Sequence, residues 1–268
     1  MFGTRKRQMS KSSIAYIALG IALITIMTLL GLSAFLRTSE IRVEGSKVYS
    51  IEEIIKSSGL IQGDNLMFIN PDNVASKIRS ELPFIEAVTI SRLVPDTVLI
   101  EVVESVAIAR VTSAGWYYII DSAGRVLARS YNLDEADAIE ELGIVYESLI
   151  EVRGLEIEES NLGSVLKPIF GAETKLTYTQ DILTALERQG IEEDISYIDV
   201  SNIVNVSFGY LGWYRVILGG STSLRPSNIR HNIERLVEAI PRIQASFPNT
   251  SGAIDVSDET IPPRFTPS

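Results

Sequence analysis

The chain has 268 residues, 46% of them hydrophobic and 22% charged, a balance that excludes a disordered or low-complexity protein. It holds no cysteine, which excludes disulfide frameworks, thiolate nucleophiles and thiolate metal sites. The net charge is −10, yet residues 1–37 carry Arg5, Lys6, Arg7, Lys11 and Arg37 and no acid, so the remainder carries −15 and is poorly suited to nucleic acid or an anionic surface.

The first element is an apolar helix. No residue from Ile14 to Leu36 is charged. At about 1.5 Å per residue such a stretch crosses a hydrocarbon core of about 30 Å. It is longer than the roughly 7–15-residue apolar region of a signal peptide, and Ser33-Ala34-Phe35 is a poor cleavage site. The excess of basic residues before Ile14 predicts a cytoplasmic N-terminus and an extracytoplasmic remainder.

Ile41-Arg42-Val43-Glu44 alternates like a strand and stops at Gly45. Ser50 with Glu53 forms a capping box for a helix over Ile51–Leu60 that Gly59 closes. Asn70 and Pro71 start a second helix, with Val74, Ile78 and Leu82 on one face and Pro83 as its stop. Strands are predicted over 85–92 and 98–104, with Pro95-Asp96 in the turn. The order β-α-α-β-β predicts two helices on one face of a three-stranded sheet.

In the second region, strands are predicted at 106–111, 116–120 and from Arg125, with Asp121-Ser-Ala-Gly124 as a turn rather than a metal site. Residues 132–148 are acidic and weakly patterned, a surface loop. An amphipathic helix spans 179–189, with Ile182, Leu183 and Leu186 inward. Strands follow at 196–200, 203–208 and 214–218, with a loop at Gly219-Gly220-Ser221. A helix from Pro226 then presents Ile229, Ile233, Leu236, Val237 and Ile240 on one face. A last strand covers 253–256, and the tail from Thr260 is expected to be disordered.

Nothing in the chain points to catalysis or a cofactor. The single histidine, His231, lies on a helix with no nucleophile signature beside it, and no HExxH, P-loop or GxGxxG occurs. Paired acids such as Glu52-Glu53 and Glu192-Glu193 are adjacent in sequence, so their side chains diverge. No catalytic, cofactor-binding or metal residue is assigned.

Several of these elements, in register after the apolar segment, resemble the POTRA domain of the bacterial cell-division family FtsQ/DivIB. They are Ile41-x-Val43-x-Gly45, Ile51–Ile54 with Gly59, Gly63-x-Asn65-Leu66, Leu82-Pro83 and Pro95-x-Thr97-x-x-Ile100-x-Val102-x-Glu104. Ile120-Asp121-x-x-Gly124-x-Val126-Leu127 and Ile254-Asp255-Val256 resemble the start and end of that family's β domain. Ser46, Ser105 and Ala107 depart from the family pattern, which commonly has Asn, a basic residue and Pro there.

The resemblance implies an α+β protein: a tail over 1–13, a transmembrane helix over 14–36, a POTRA domain over 37–107, a mixed β domain with flanking helices over 108–258, and a C-terminal tail over 259–268. It implies a non-enzymatic scaffold at the division septum, linking peptidoglycan synthesis to other division proteins. Expected partners are small coiled-coil membrane proteins, FtsB- or DivIC-like and FtsL-like, and a septal peptidoglycan synthase. The alternative is a membrane-anchored POTRA component of a protein export or assembly pathway. The resemblance places a partner's strand near the last predicted strand. No later strand is evident to cover its edge, so the expected partner-binding residues are Ile254, Val256, Ser257, Asp258, Glu259, Thr260, Ile261 and Phe265.

Overall fold

The computed structural model describes residues 11–131, 144–220 and 226–268. Arg5, Lys6 and Arg7, most of the acidic loop, and Ser221 lie outside the described residues. The apolar segment forms helix α1 (Lys11–Phe35), 25 residues long. Its side chains are described mainly from Tyr16 to Thr28, and among the described residues no helix is long and apolar enough to cross a membrane.

The chain divides into two compact units, residues 1–81 with 87–103, and residues 82–86 with 104–268. After α1, the first unit is built on β1 (Glu40–Glu44), α2 (Ile51–Ser58), α3 (Pro71–Glu81), β2 (Ile85–Leu93) and β3 (Thr97–Glu104). Its sheet order is β1-β3-β2, with β1 parallel to β3. The predicted local signals act as read. Ser50 accepts from the Glu53 N–H while the Glu53 carboxylate accepts from the Ser50 N–H, so two orphan donors at the start of α2 are satisfied. Gly59 closes α2 in the left-handed conformation, with φ 68°. Asn70 Oδ1 caps α3 by accepting from the N–H groups of Asp72 and Asn73. Ile54, Val74 and Ile78 of the helices and Val98, Ile100 and Val102 of β3 are buried.

The second unit is a mixed nine-stranded sheet with two long helices. Its strands are β4 (Ala109–Ser113), β5 (Trp116–Ile120), β6 (Val126–Ser130), β7 (Ile150–Arg153), β8 (Ile195–Asp199), β9 (Val206–Tyr210), β10 (Tyr214–Gly219), β11 (Gly252–Asp255) and β12 (Arg264–Pro267). The spatial order is β12-β11-β10-β9-β8-β7-β4-β5-β6. Helices α4 (Glu173–Gln189) and α5 (Pro226–Ser246) bury Ile182, Leu183 and Leu186, and Ile229, Ile233 and Leu236, in one cluster with Ile198, Phe208 and Val216 of the sheet.

Four expectations are corrected. Helix α4 starts at Glu173 rather than Thr179, because Leu176 extends the buried face and Thr179, itself buried, returns its hydroxyl to the Lys175 carbonyl at 2.9 Å. Strand β9 starts at Val206 rather than Ile203, because Asn202 makes a side-chain turn that accepts from the Val204 N–H. Strand β7, which pairs parallel with both β4 and β8, falls where none was predicted. The tail is not disordered throughout: β12 lies inside it.

Candidate partner-binding edge

The end of the nine-stranded sheet is built by β10, β11, β12 and α5. Strand β11 pairs parallel with β10, Val216 opposite Ile254, and antiparallel with β12, Ile254 opposite Phe265. The expectation of a free outer edge on β11 is therefore corrected: β12 covers it. Periodicity failed because β12 is four residues long and preceded by Pro262-Pro263. Its order comes from ladder bonds to β11, not from its own propensity.

The hydrogen bonds fix which groups face outward. The Gly252 N–H donates to Trp213 and the Val256 N–H to Ile217, so even-numbered residues of β11 face β10 and odd-numbered ones face β12. The Ser268 N–H donates to the Ser251 carbonyl at 3.1 Å, which turns residues 264, 266 and 268 inward on β12. The outward positions are then Pro263, Phe265 and Pro267. Prolines carry no N–H, so the outer edge presents one donor, at Phe265, between carbonyl acceptors. Among the described residues no strand lies beyond β12.

The expected site residues take different places. Ile254 and Val256 are fully buried, facing the core rather than a partner. The Phe265 ring packs edge-on to Tyr214 at 5.9 Å and lies 4.9 Å from the Phe247 ring, so it closes the end of the core instead of standing free. The Ser257 N–H donates to the Asp255 carboxylate and is not an outward ladder donor. Glu259 is exposed. Asp258 accepts from the hydroxyl and N–H of Thr260; these bonds, with Arg235 nearby, hold its carboxyl below the usual value. Ile261 is the exposed apolar residue of the segment.

Arg235 and Asn232 of α5 also belong to this region and were missed. Arg235 donates to the carbonyls of Asp258, at 3.1 Å, and Ile261, and to Asn232 Oδ1 at 3.2 Å. The clamp ties the 258–261 loop to the helix. A signal was present in the sequence: Asn232 is a buried polar residue on the apolar face of α5, three positions after Ile229. Among the described residues no group of His, Cys, Asp or Glu is gathered as a metal site, and His231 is exposed, 4.0 Å from Glu234.

Comparison with known proteins follows the same division. A model of the FtsQ-type POTRA domain matches residues 36–105. The chain is 26% identical to the cell division protein DivIB of Clostridium tetani, over 71% of this chain and 66% of that protein. It is 24% identical to DivIB of Clostridium acetobutylicum, over 81% and 78%. It is 23% identical to the cell division protein FtsQ of Syntrophotalea carbinolica, over 87% and 74%. The chain belongs to the FtsQ/DivIB family. It is a cell-division protein of a non-enzymatic kind with a POTRA domain of FtsQ type, matched over residues 36–105.

Proposed function

We propose that this FtsQ/DivIB-family chain is a bitopic scaffold that links septal peptidoglycan synthesis to other division proteins. In this reading residues 1–13 are cytoplasmic, 14–36 span the plasma membrane, 37–107 form the POTRA domain, and 108–258 form the β domain, with β12 adding the tail's strand to its sheet. The uncharged run from Ile14 to Leu36 after four basic residues supports the span. The partners are coiled-coil membrane proteins of the FtsB/DivIC and FtsL types, with the septal synthase further along the assembly.

The observation that carries the reading is the outer edge of β12. It offers a partner strand one donor and flanking acceptors, with Ile261, Asp258, Glu259 and Thr260 beside it. Ile254, Val256 and Ser257 act by holding β11 and its turn beneath that edge. The test is co-purification of the full chain with the DivIC- or FtsB-like partner. Phe265→Pro removes the only outward donor and should abolish capture. Phe265→Leu keeps the donor and should retain it, and Ile261→Asp should weaken it. Full capture by a folded Phe265→Pro chain would overturn the site.

A further inference from the structure

The point where the chain leaves α1 is wrapped by two other segments of the first unit. The Thr38 N–H donates to the Asp64 carbonyl and the Gly63 N–H to the Thr38 carbonyl, both at 2.8 Å. The Leu66 N–H donates to the Leu36 carbonyl at 2.9 Å, and Arg37 bridges Asn65. On the other side, the N–H groups of Ser39 and Glu40 donate to the Asp96 carbonyl in the β2–β3 turn. The end of α1 is thus tied by main-chain bonds to residues 63–66 and to the 93–96 turn.

Both segments turn large apolar side chains to solvent beside these bonds. Ile61 is 67% exposed, Met67 59%, Phe68 83% and Val94 72%. Their neighbours Leu66 and Ile69 are buried, so the segment is folded and the exposure is not that of a loose loop. Single exposed apolar residues need no explanation, but these four lie on the two segments bonded to the end of one apolar helix.

We propose that Ile61, Met67, Phe68 and Val94 form a collar that inserts into the outer lipid interface and fixes the POTRA domain against the membrane. The proposal rests on the spanning reading of α1: if Leu36 leaves the hydrocarbon, residues bonded to Leu36 and Thr38 lie at headgroup depth. Lipid is the occupant that this position supplies without a further chain. Asp64 and Asp96 lie in the same segments, so the attraction is apolar rather than electrostatic. Binding then requires no anionic lipid. Arg37, also exposed, is placed to meet headgroup phosphates.

The absence of cysteine makes the test direct. The full chain is reconstituted into phosphatidylcholine vesicles carrying single labelled cysteines at Gln62, beside the collar, at Val103, near the far end of β3, or at Ile24 in α1. Val103 is about 20 Å from Thr97 along the strand. An environment-sensitive dye at Gln62→Cys should shift to the blue and lose most of its emission to a nitroxide lipid labelled near the headgroup. The dye at Val103→Cys should stay water-like. Adding Met67→Ser and Phe68→Ser should return the Gln62 signal to the Val103 level, while Ile24→Cys stays quenched by lipid. A water-like Gln62 label with a quenched Ile24 label overturns the collar alone. An unquenched Ile24 label overturns the spanning reading and the collar with it.

Discussion

Asp121 sits in a turn whose chemistry is legible in four residues, but its partners are not. Its carboxylate accepts from the Arg125 N–H at 2.8 Å, from Arg125 Nε at 3.2 Å and from the Ser105 hydroxyl at 3.2 Å. Arg125 also reaches Ser105 Oγ at 2.6 Å. Asp and Gly at fixed spacing announce a turn locally. A bond to Ser105 depends on how the chain folds back, and Ser105 is one of the positions that depart from the family pattern. Arg125→Met strands a mostly buried carboxylate and should cost about 3–5 kcal/mol, read as a lowered urea midpoint. Pairing it with Asp121→Asn should recover part of that loss, because the two changes act on one interaction. Asp181 presents the opposite case. Its Oδ2 is buried without a hydrogen-bond partner among the described residues, and burial raises its carboxyl above 3.8. A raised carboxyl binds its proton more tightly folded than unfolded, so stability falls as pH rises through 3.8 and on to the raised value. Asp181→Asn should therefore stabilise the chain at neutral pH. The advantage should vanish as pH falls below that window, and an equal effect at all pH values would count against the cause.

Elements with strong local signals were readable: the capped α2 and α3, the meander β4-β5-β6, and α5 from Pro226. Gly45 shows why a short strand motif can be so definite. Its φ is 93°, and a Cβ there would collide with the Val102 carbonyl oxygen of β3. Gly45→Ala should lower stability by roughly 1–3 kcal/mol from backbone strain alone, with the clash adding to it; a melting temperature unchanged from wild type would refute that. Elements specified by distant pairing were not readable. Strand β7 is four residues long and owes its place to β4 on one side and β8 on the other. Strand β12 reads as a breaker-rich tail and becomes a strand through β11. The free edge was therefore expected one strand too early, on β11 where β12 pairs, and Arg235, which clamps the adjoining loop, lies more than twenty residues from it in sequence.

At the scale of the whole chain, the arrangement proposed here makes residues 1–13 cytoplasmic and everything after Leu36 extracytoplasmic. Protease added to intact spheroplasts should cut beyond Arg37 and leave an N-terminal epitope protected; the reverse pattern would exclude the topology. The nine-stranded sheet also has an internal grain. Three pieces are joined by antiparallel neighbours: β4-β5-β6, β8-β9-β10 and β11-β12. The joints between them are parallel, through β7 and between β10 and β11. The β11-β12 piece is held to the sheet by a seam running only from Tyr214–Gly252 to Ile217–Asp255. Opening at that seam leaves the strands behind it paired, at the cost of uncovering Ile254, Val256 and Phe265 and breaking the Arg235 clamp. In native-state hydrogen exchange, the amides of Gly252, Ile254 and Val256 should then exchange sooner than those of β8 and β9. A chain that adds its strand to β12 should slow the exchange of all three, although it touches none of them.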